Sequence, residues 1–196
     1  MAPWLFNDEI DAARYVRKSH TSSVTTFRSP TVGPLGWLVE GRPRIAFRTP
    51  WLEGTPGCIH SAIPAVAVLT ATLGDDLRLI EKVESLGYAG LVIQGFGGGH
   101  VAAHVAPSIE DLASRVPVVL ASRTGAGEIL RMTYGFPGSE RDLIARGLIA
   151  AGFLDGLKAR TLLSLLLATG ANLADVREAF QTIHASATSA NTIAGS

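Results

Sequence analysis

The apolar positions change rhythm along the chain. At the front, Trp4, Leu5 and Phe6 form a short apolar run that stops at the polar turn Asn7-Asp8-Glu9. A run of this length before a turn predicts a buried strand. A central strand needs neighbours on both sides, and few residues precede this one, so its cover is expected from upstream or from another chain. Residues 24–28 read as extended, and Gly33, Pro34 and Gly36 punctuate a loop. Residues 37–40 and 44–48 flank Gly41-Arg42-Pro43, which predicts a hairpin. Residues 49–63 are rich in Pro, Gly and Thr and read as a linker.

Beyond Pro64 the pattern alternates between short apolar runs and helical periodicity. Strands are expected at residues 65–70, 90–94, 117–121 and 148–151, and helices at 75–86, 107–114, 158–169 and 173–183. The first of these helices rests on Leu77, Ile80, Val83 and Leu86 at spacings of three, with Asp75-Asp76 as N-terminal charge and Gly87 as C-cap. Strands alternating with helices predict an α/β fold, a parallel sheet with helices on both faces. The expected division is residues 1–55, a strand-and-hairpin segment plus linker, and residues 56–196, the α/β domain.

Composition narrows the function classes. Of 196 residues, 47% are apolar and 17% charged, enough for a sizeable core. Lys+Arg and Asp+Glu balance at 17 each, so no basic field exists to collect nucleic-acid phosphates or an anionic membrane surface. Cys58 is the single cysteine, which excludes an internal disulfide and a cysteine zinc site and fits a cytoplasmic protein. The first residues lack the basic start and apolar stretch of a secretory signal. The longest apolar stretch, residues 162–171, is far shorter than the ~20 residues a bilayer span needs.

In a parallel sheet ligands gather at the C-terminal ends of the strands. Two loops fall there: Gly95-Phe96-Gly97-Gly98-Gly99-His100 and Ser122-Arg123-Thr124-Gly125-Ala126-Gly127. The first lacks dinucleotide spacing, because His100 stands where a glycine three past Gly97 is required, so no nucleotide cofactor is expected. Its other reading is a tight strand-to-helix turn. Arg123 is either a structural ion pair or functional. Lys18 lies in the polar run Arg17-Lys18-Ser19-His20-Thr21-Ser22 and reads as a solvated lysine or, if buried, as a proton carrier. His20, His60, His104 and His184 share no ligand spacing. His100 and His104 stand four apart without a third ligand, so no metal is expected.

Taken in order, these segments resemble the bacterial-type L-asparaginase/glutaminase family along nearly the whole chain. Asn7-Asp8-Glu9-Ile10 with Ala13-Arg14 leads into Val16-Arg17-Lys18-Ser19-His20-Thr21, which is similar to the family's lysine motif. Phe27-Arg28-Ser29-Pro30 and Gly33-Pro34-Leu35-Gly36 resemble its connecting loop. Gly90-Leu91-Val92-Ile93-Gln94-Gly95-Phe96-Gly97-Gly98-Gly99-His100 resembles its C-domain glycine loop, and Ser122-Arg123-Thr124 and Lys158-Ala159-Arg160 also match.

The resemblance implies a larger N-terminal and a smaller C-terminal α/β domain, with active sites shared between subunits. It implies a threonine nucleophile, a second threonine with an aspartate and a lysine for proton transfer, and polar groups from the C-domain at the substrate's amino end. On this mapping Lys18 falls at the catalytic lysine. His100 falls where many members carry asparagine, and Glu140 at the carboxylate that meets the substrate ammonium, with Glu128 as its alternative. The Thr-Gly-Gly-Thr and Thr-Asp motifs do not occur. The resemblance therefore implies one half of a split amidohydrolase, in a hetero-oligomer with a partner chain that carries the threonine nucleophile, acting on a small amide. The alternatives are an inactive binding or regulatory module and a piece of a longer chain.

Overall fold

A computed structural model describes residues 3–49, 59 and 62–188. Most of the expected linker, with Cys58 and His60, lies outside the described residues. The chain forms two compact units, Met1–Glu53 with Ala185–Ser196, and Gly54–His184.

The first unit is antiparallel. Strands β1 (Pro3–Phe6), β2 (Glu9–Ala12), β5 (Gly36–Val39) and β6 (Arg42–Ile45) pair in the order β1-β2-β5-β6, and β3 (Arg17–Lys18) pairs with β4 (Phe27–Arg28) as a separate ribbon. Two-residue turns set both hairpins of the larger sheet. Asn7 and Asp8 have φ of 50° and 59°, and Glu40 and Gly41 have φ of 50° and 74°, the paired positive values of a type I′ turn. The second turn therefore sits one residue earlier than Gly41-Arg42-Pro43 suggested. Pro43 lies inside β6, tolerated because β6 is an edge strand. The front strand also departs from expectation. It is an edge strand rather than a buried one, and Leu5 is 55% exposed. An apolar run of three residues cannot distinguish a central strand from an edge strand.

The second unit is the α/β domain. Strands β7 (Val66–Thr70), β8 (Gly90–Gly95), β9 (Val118–Ser122) and β10 (Ile149–Ala150) form a parallel sheet in the order β10-β9-β8-β7. Alternate residues point to opposite faces. Leu91, Ile93, Val118 and Leu120 meet Ile109 and Leu112 of α1 (Ala106–Ala113) in one core. On the other side, Gly90 lies against Leu163 of α3 (Gly156–Ala168), where a Cβ would meet the leucine at 3.1 Å. Helix α2 (Glu140–Ala145) and α4 (Leu173–Thr188) as far as His184 complete the unit. With helices on both faces, the central strands are apolar at nearly every position rather than alternating.

The expected helix over residues 75–86 does not form. Asp75 Oδ1 accepts the Leu77 N–H at 2.9 Å and Asp76 Oδ1 accepts the Arg78 N–H at 3.1 Å. Bonds of this kind fold Asp75–Arg78 into local turns, and Leu77 turns left-handed with φ 50°, which interrupts helical geometry. Only a 3₁₀ turn, Arg78–Lys82, remains. It still buries Leu77, Ile80 and Val83, while Leu86 is exposed.

Candidate functional site

The glycine loop after β8 is folded by its own backbone. Phe96 and His100 exchange both N–H to carbonyl bonds, at 2.8 and 2.9 Å. Gly97 and Gly99 between them have φ of 45° and 114°, a conformation that suits glycine. The loop then anchors its neighbour: Leu130 N–H donates to Gly98 O at 3.0 Å and Val101 N–H to Gly138 O at 2.9 Å. Gly138 has φ of 85°, and a Cβ there would lie 2.5 Å from Val101 O, so only glycine permits this approach. Ser139 next caps α2, its Oγ accepting the Asp142 N–H at 3.4 Å. These contacts set Glu140, at the start of α2, beside His100.

Glu140 is fully buried. Its Oε1 accepts the N–H groups of Thr133 and Tyr134 at 3.1 and 2.8 Å. Its Oε2 has no hydrogen bond and stands 3.3 Å from Nδ1 of His100, which is likewise without one. The two atoms are within ion-pair distance but outside hydrogen-bond alignment. The rings of Tyr134 and Phe136 pack on His100 with centroids 4.9 and 5.3 Å away. The result is a buried carboxylate oxygen facing an imidazole nitrogen, with two half-exposed aromatic rings at its rim. Such an arrangement suits an ammonium group, which needs anionic and neutral acceptors and is attracted to ring faces.

The other named residues take different places. Glu128 faces His184, Oε2 to Nδ1 at 3.5 Å. Arg123 makes no ion pair among the described residues: its Nη1 donates to Ala71 O at 2.8 Å and its guanidinium lies 4.0 Å over the Phe96 ring, so it ties the ends of β7, β8 and β9. In the first unit, Lys18 is exposed on β3, its backbone paired with Phe27. The hydroxyl-rich loop after it is internally bonded, with His20 Nδ1 accepting the N–H groups of Ser22 and Ser23 at 3.1 and 3.0 Å. Asp11 is buried in β2, takes a bond from Ser29 Oγ, and leaves Oδ2 without a partner. Sequence reasoning missed Asp11, although an acid in the apolar strand Glu9-Ile10-Asp11-Ala12 was a signal. It also missed Tyr134 and Phe136, whose loop has no periodicity to mark them. No cluster of three His, Cys, Asp or Glu residues occurs among the described residues. No helix described is long and apolar enough to cross a membrane.

Residues 65–180 match the family model of the glutaminase/asparaginase C-terminal domain, and residues 4–50 match that of the asparaginase N-terminal domain. The chain belongs to the asparaginase/glutaminase family. Among curated relatives it is 35% identical to a probable L-asparaginase of Deinococcus radiodurans, over 90% of this chain and 54% of the relative. It is 30% identical to an L-asparaginase of Bacillus licheniformis, over 84% of this chain and 51% of the relative. It is 29% identical to a glutamyl-tRNA(Gln) amidotransferase subunit of Aeropyrum pernix, over 85% of this chain and 39% of the relative. The chain thus spans about half the length of the curated relatives it matches.

Proposed function

We propose that this chain is one subunit of a split asparaginase-like amidohydrolase that converts a side-chain amide to the acid and ammonia. The threonine nucleophile would reside on a partner chain. Its hydroxyl oxygen attacks the amide carbon, and the hydroxyl proton passes to the departing nitrogen, which leaves as ammonia. Water then cleaves the acyl-threonine, giving the acid and returning a proton to the threonine. Lys18 assists the proton transfers. Glu140 and His100 take the substrate's amino end.

The observation that carries this reading is the fully buried Glu140 carboxylate, whose Oε2 makes no hydrogen bond and stands 3.3 Å from His100 Nδ1. A buried carboxylate oxygen that makes no hydrogen bond is costly, and a substrate ammonium would supply one. Family membership supports the amide chemistry, and these 196 residues carry no Thr-Gly-Gly-Thr motif, so in this reading the nucleophile lies outside them. The first unit's half-exposed apolar side chains fit a surface that a partner covers. A cytoplasmic location, consistent with the single cysteine, is part of the same proposal.

The test is ammonia release from asparagine and glutamine by the chain alone and after co-expression with a chain carrying the threonine motif. Release by the pair only is expected. Release by the chain alone would overturn the separate nucleophile. A stable pair without turnover, still binding an amino acid, would favour a binding module.

A further inference from the structure

A second set of polar groups lies away from the His100–Glu140 pair. Arg131 and Arg177 line a cavity of about 60 Å³ at the β10 edge of the parallel sheet. Ile149 and Ala150 of β10 and Phe180 of α4 give it apolar walls, and Gln181 adds a carboxamide. No carboxylate among the described residues lines it. Arg177 Nη2 donates to the carbonyl of Gly147, so its charge meets a neutral acceptor only. Arg131 has no ion pair among the described residues, and its Nε is buried with no hydrogen-bond partner.

A guanidinium nitrogen shut away from water without an acceptor is unfavourable. Two guanidinium groups and an amide around one apolar-walled space favour an oxygen-bearing anion, which arginine's planar fork binds through two parallel bonds. The volume has room for several waters, hence for one small anionic group. We propose that this cavity is a binding site for a small oxyanion, phosphate, sulfate or a carboxylate group, held by Arg131, Arg177 and Gln181. Arg131 stands two residues before Thr133, whose N–H holds Glu140, so an occupied site would steady the loop that bears Thr133 and Tyr134. The site does not depend on the amidohydrolase reading.

The test is thermal unfolding of the full chain in phosphate, sulfate or acetate against chloride at matched ionic strength. At about ten times the dissociation constant, the expected rise in melting temperature is about 3 °C, saturating with concentration. Sulfate and phosphate also stabilise proteins unspecifically, without saturation, so Arg131→Met is measured alongside and is expected to lose the saturable rise. A response to acetate alone would assign a carboxylate, and one to phosphate and sulfate a tetrahedral anion. Should Arg131→Met fail to fold, the wild-type Arg131 Nε–Hε resonance is followed during phosphate, sulfate and acetate titrations, where a saturable shift is expected. Equal melting temperatures in all four salts, the same saturable rise in Arg131→Met, or an unmoved Nε resonance would overturn the site.

Discussion

In the second unit, β8 and β9 keep Leu91, Val92, Ile93, Val119 and Leu120 wholly out of water, whereas the β5–β6 hairpin of the first unit leaves Trp37, Val39 and Ile45 between 41% and 48% exposed. The difference lies in how each sheet is held. The parallel sheet is sandwiched by helices, so apolar burial supplies its stability. The antiparallel sheet relies on two positive-φ turns and on backbone pairing, with Pro43 and the exposed β6 at one edge and half-exposed Leu5 at the other. One unit closes its own core, and the other presents surface and an exposed lysine.

The largest expected effect falls on that lysine. If Lys18 carries the proposed proton transfers, Lys18→Ala should lower turnover of the proposed two-chain enzyme by at least about 10²-fold, the usual reach of a proton-transfer residue. Its effect on unfolding should stay within about 0.5 kcal/mol, since Lys18 is an exposed side chain. Wild-type turnover by this variant would remove Lys18 from the mechanism.

Ile93→Ala acts in the opposite sense. It empties a fully buried position and should cost about 2–5 kcal/mol in urea unfolding. Gly138→Ala should cost about 1–3 kcal/mol, because φ of 85° and the approach to Val101 O both oppose a Cβ. It should also displace Glu140, seen as a weaker affinity for the amino end of the proposed substrate. A smaller effect is expected at α2. The Arg146 guanidinium, by its hydrogen bond, holds the Asp142 carboxyl below its ordinary 3.8. That contribution is present above about pH 4 and lost as pH falls through the lowered value, and Arg146→Met should weaken this acid dependence of urea unfolding only slightly. Smallest of all, Trp37→Ser should shift unfolding by under about 0.5 kcal/mol. A loss as large as that of Ile93→Ala would mean that the first unit is held by burial after all.

The two units were legible to different degrees for the same physical reasons. Strands buried on both faces leave unbroken apolar runs, and β7, β8 and β9 were read from such runs within a residue or two. Periodicity alone fails between residues 75 and 86: Leu77, Ile80 and Val83 are buried at helical spacing, yet Leu77 is left-handed and only a 3₁₀ turn follows. In the first unit, the run Trp4-Leu5-Phe6 signalled a strand but not its place at an edge. His100 and Glu140 are forty residues apart, and no local pattern links them. Only the family resemblance pairs them, and their 3.3 Å approach depends on Gly138 and the Phe96–His100 bridge. The rings of Tyr134 and Phe136 reach His100 only through that tertiary arrangement.

The most direct measurement compares, in the proposed two-chain enzyme, kcat/KM for an amino-acid amide and for the same amide lacking its α-amino group. Removing one partner of a buried charge pair typically costs about 3–5 kcal/mol. The wild type should therefore prefer the amino-bearing substrate by at least about 10²-fold, and Glu140→Gln should abolish most of that preference while the protein stays folded. An unchanged preference in Glu140→Gln would show that the substrate's amino end binds elsewhere.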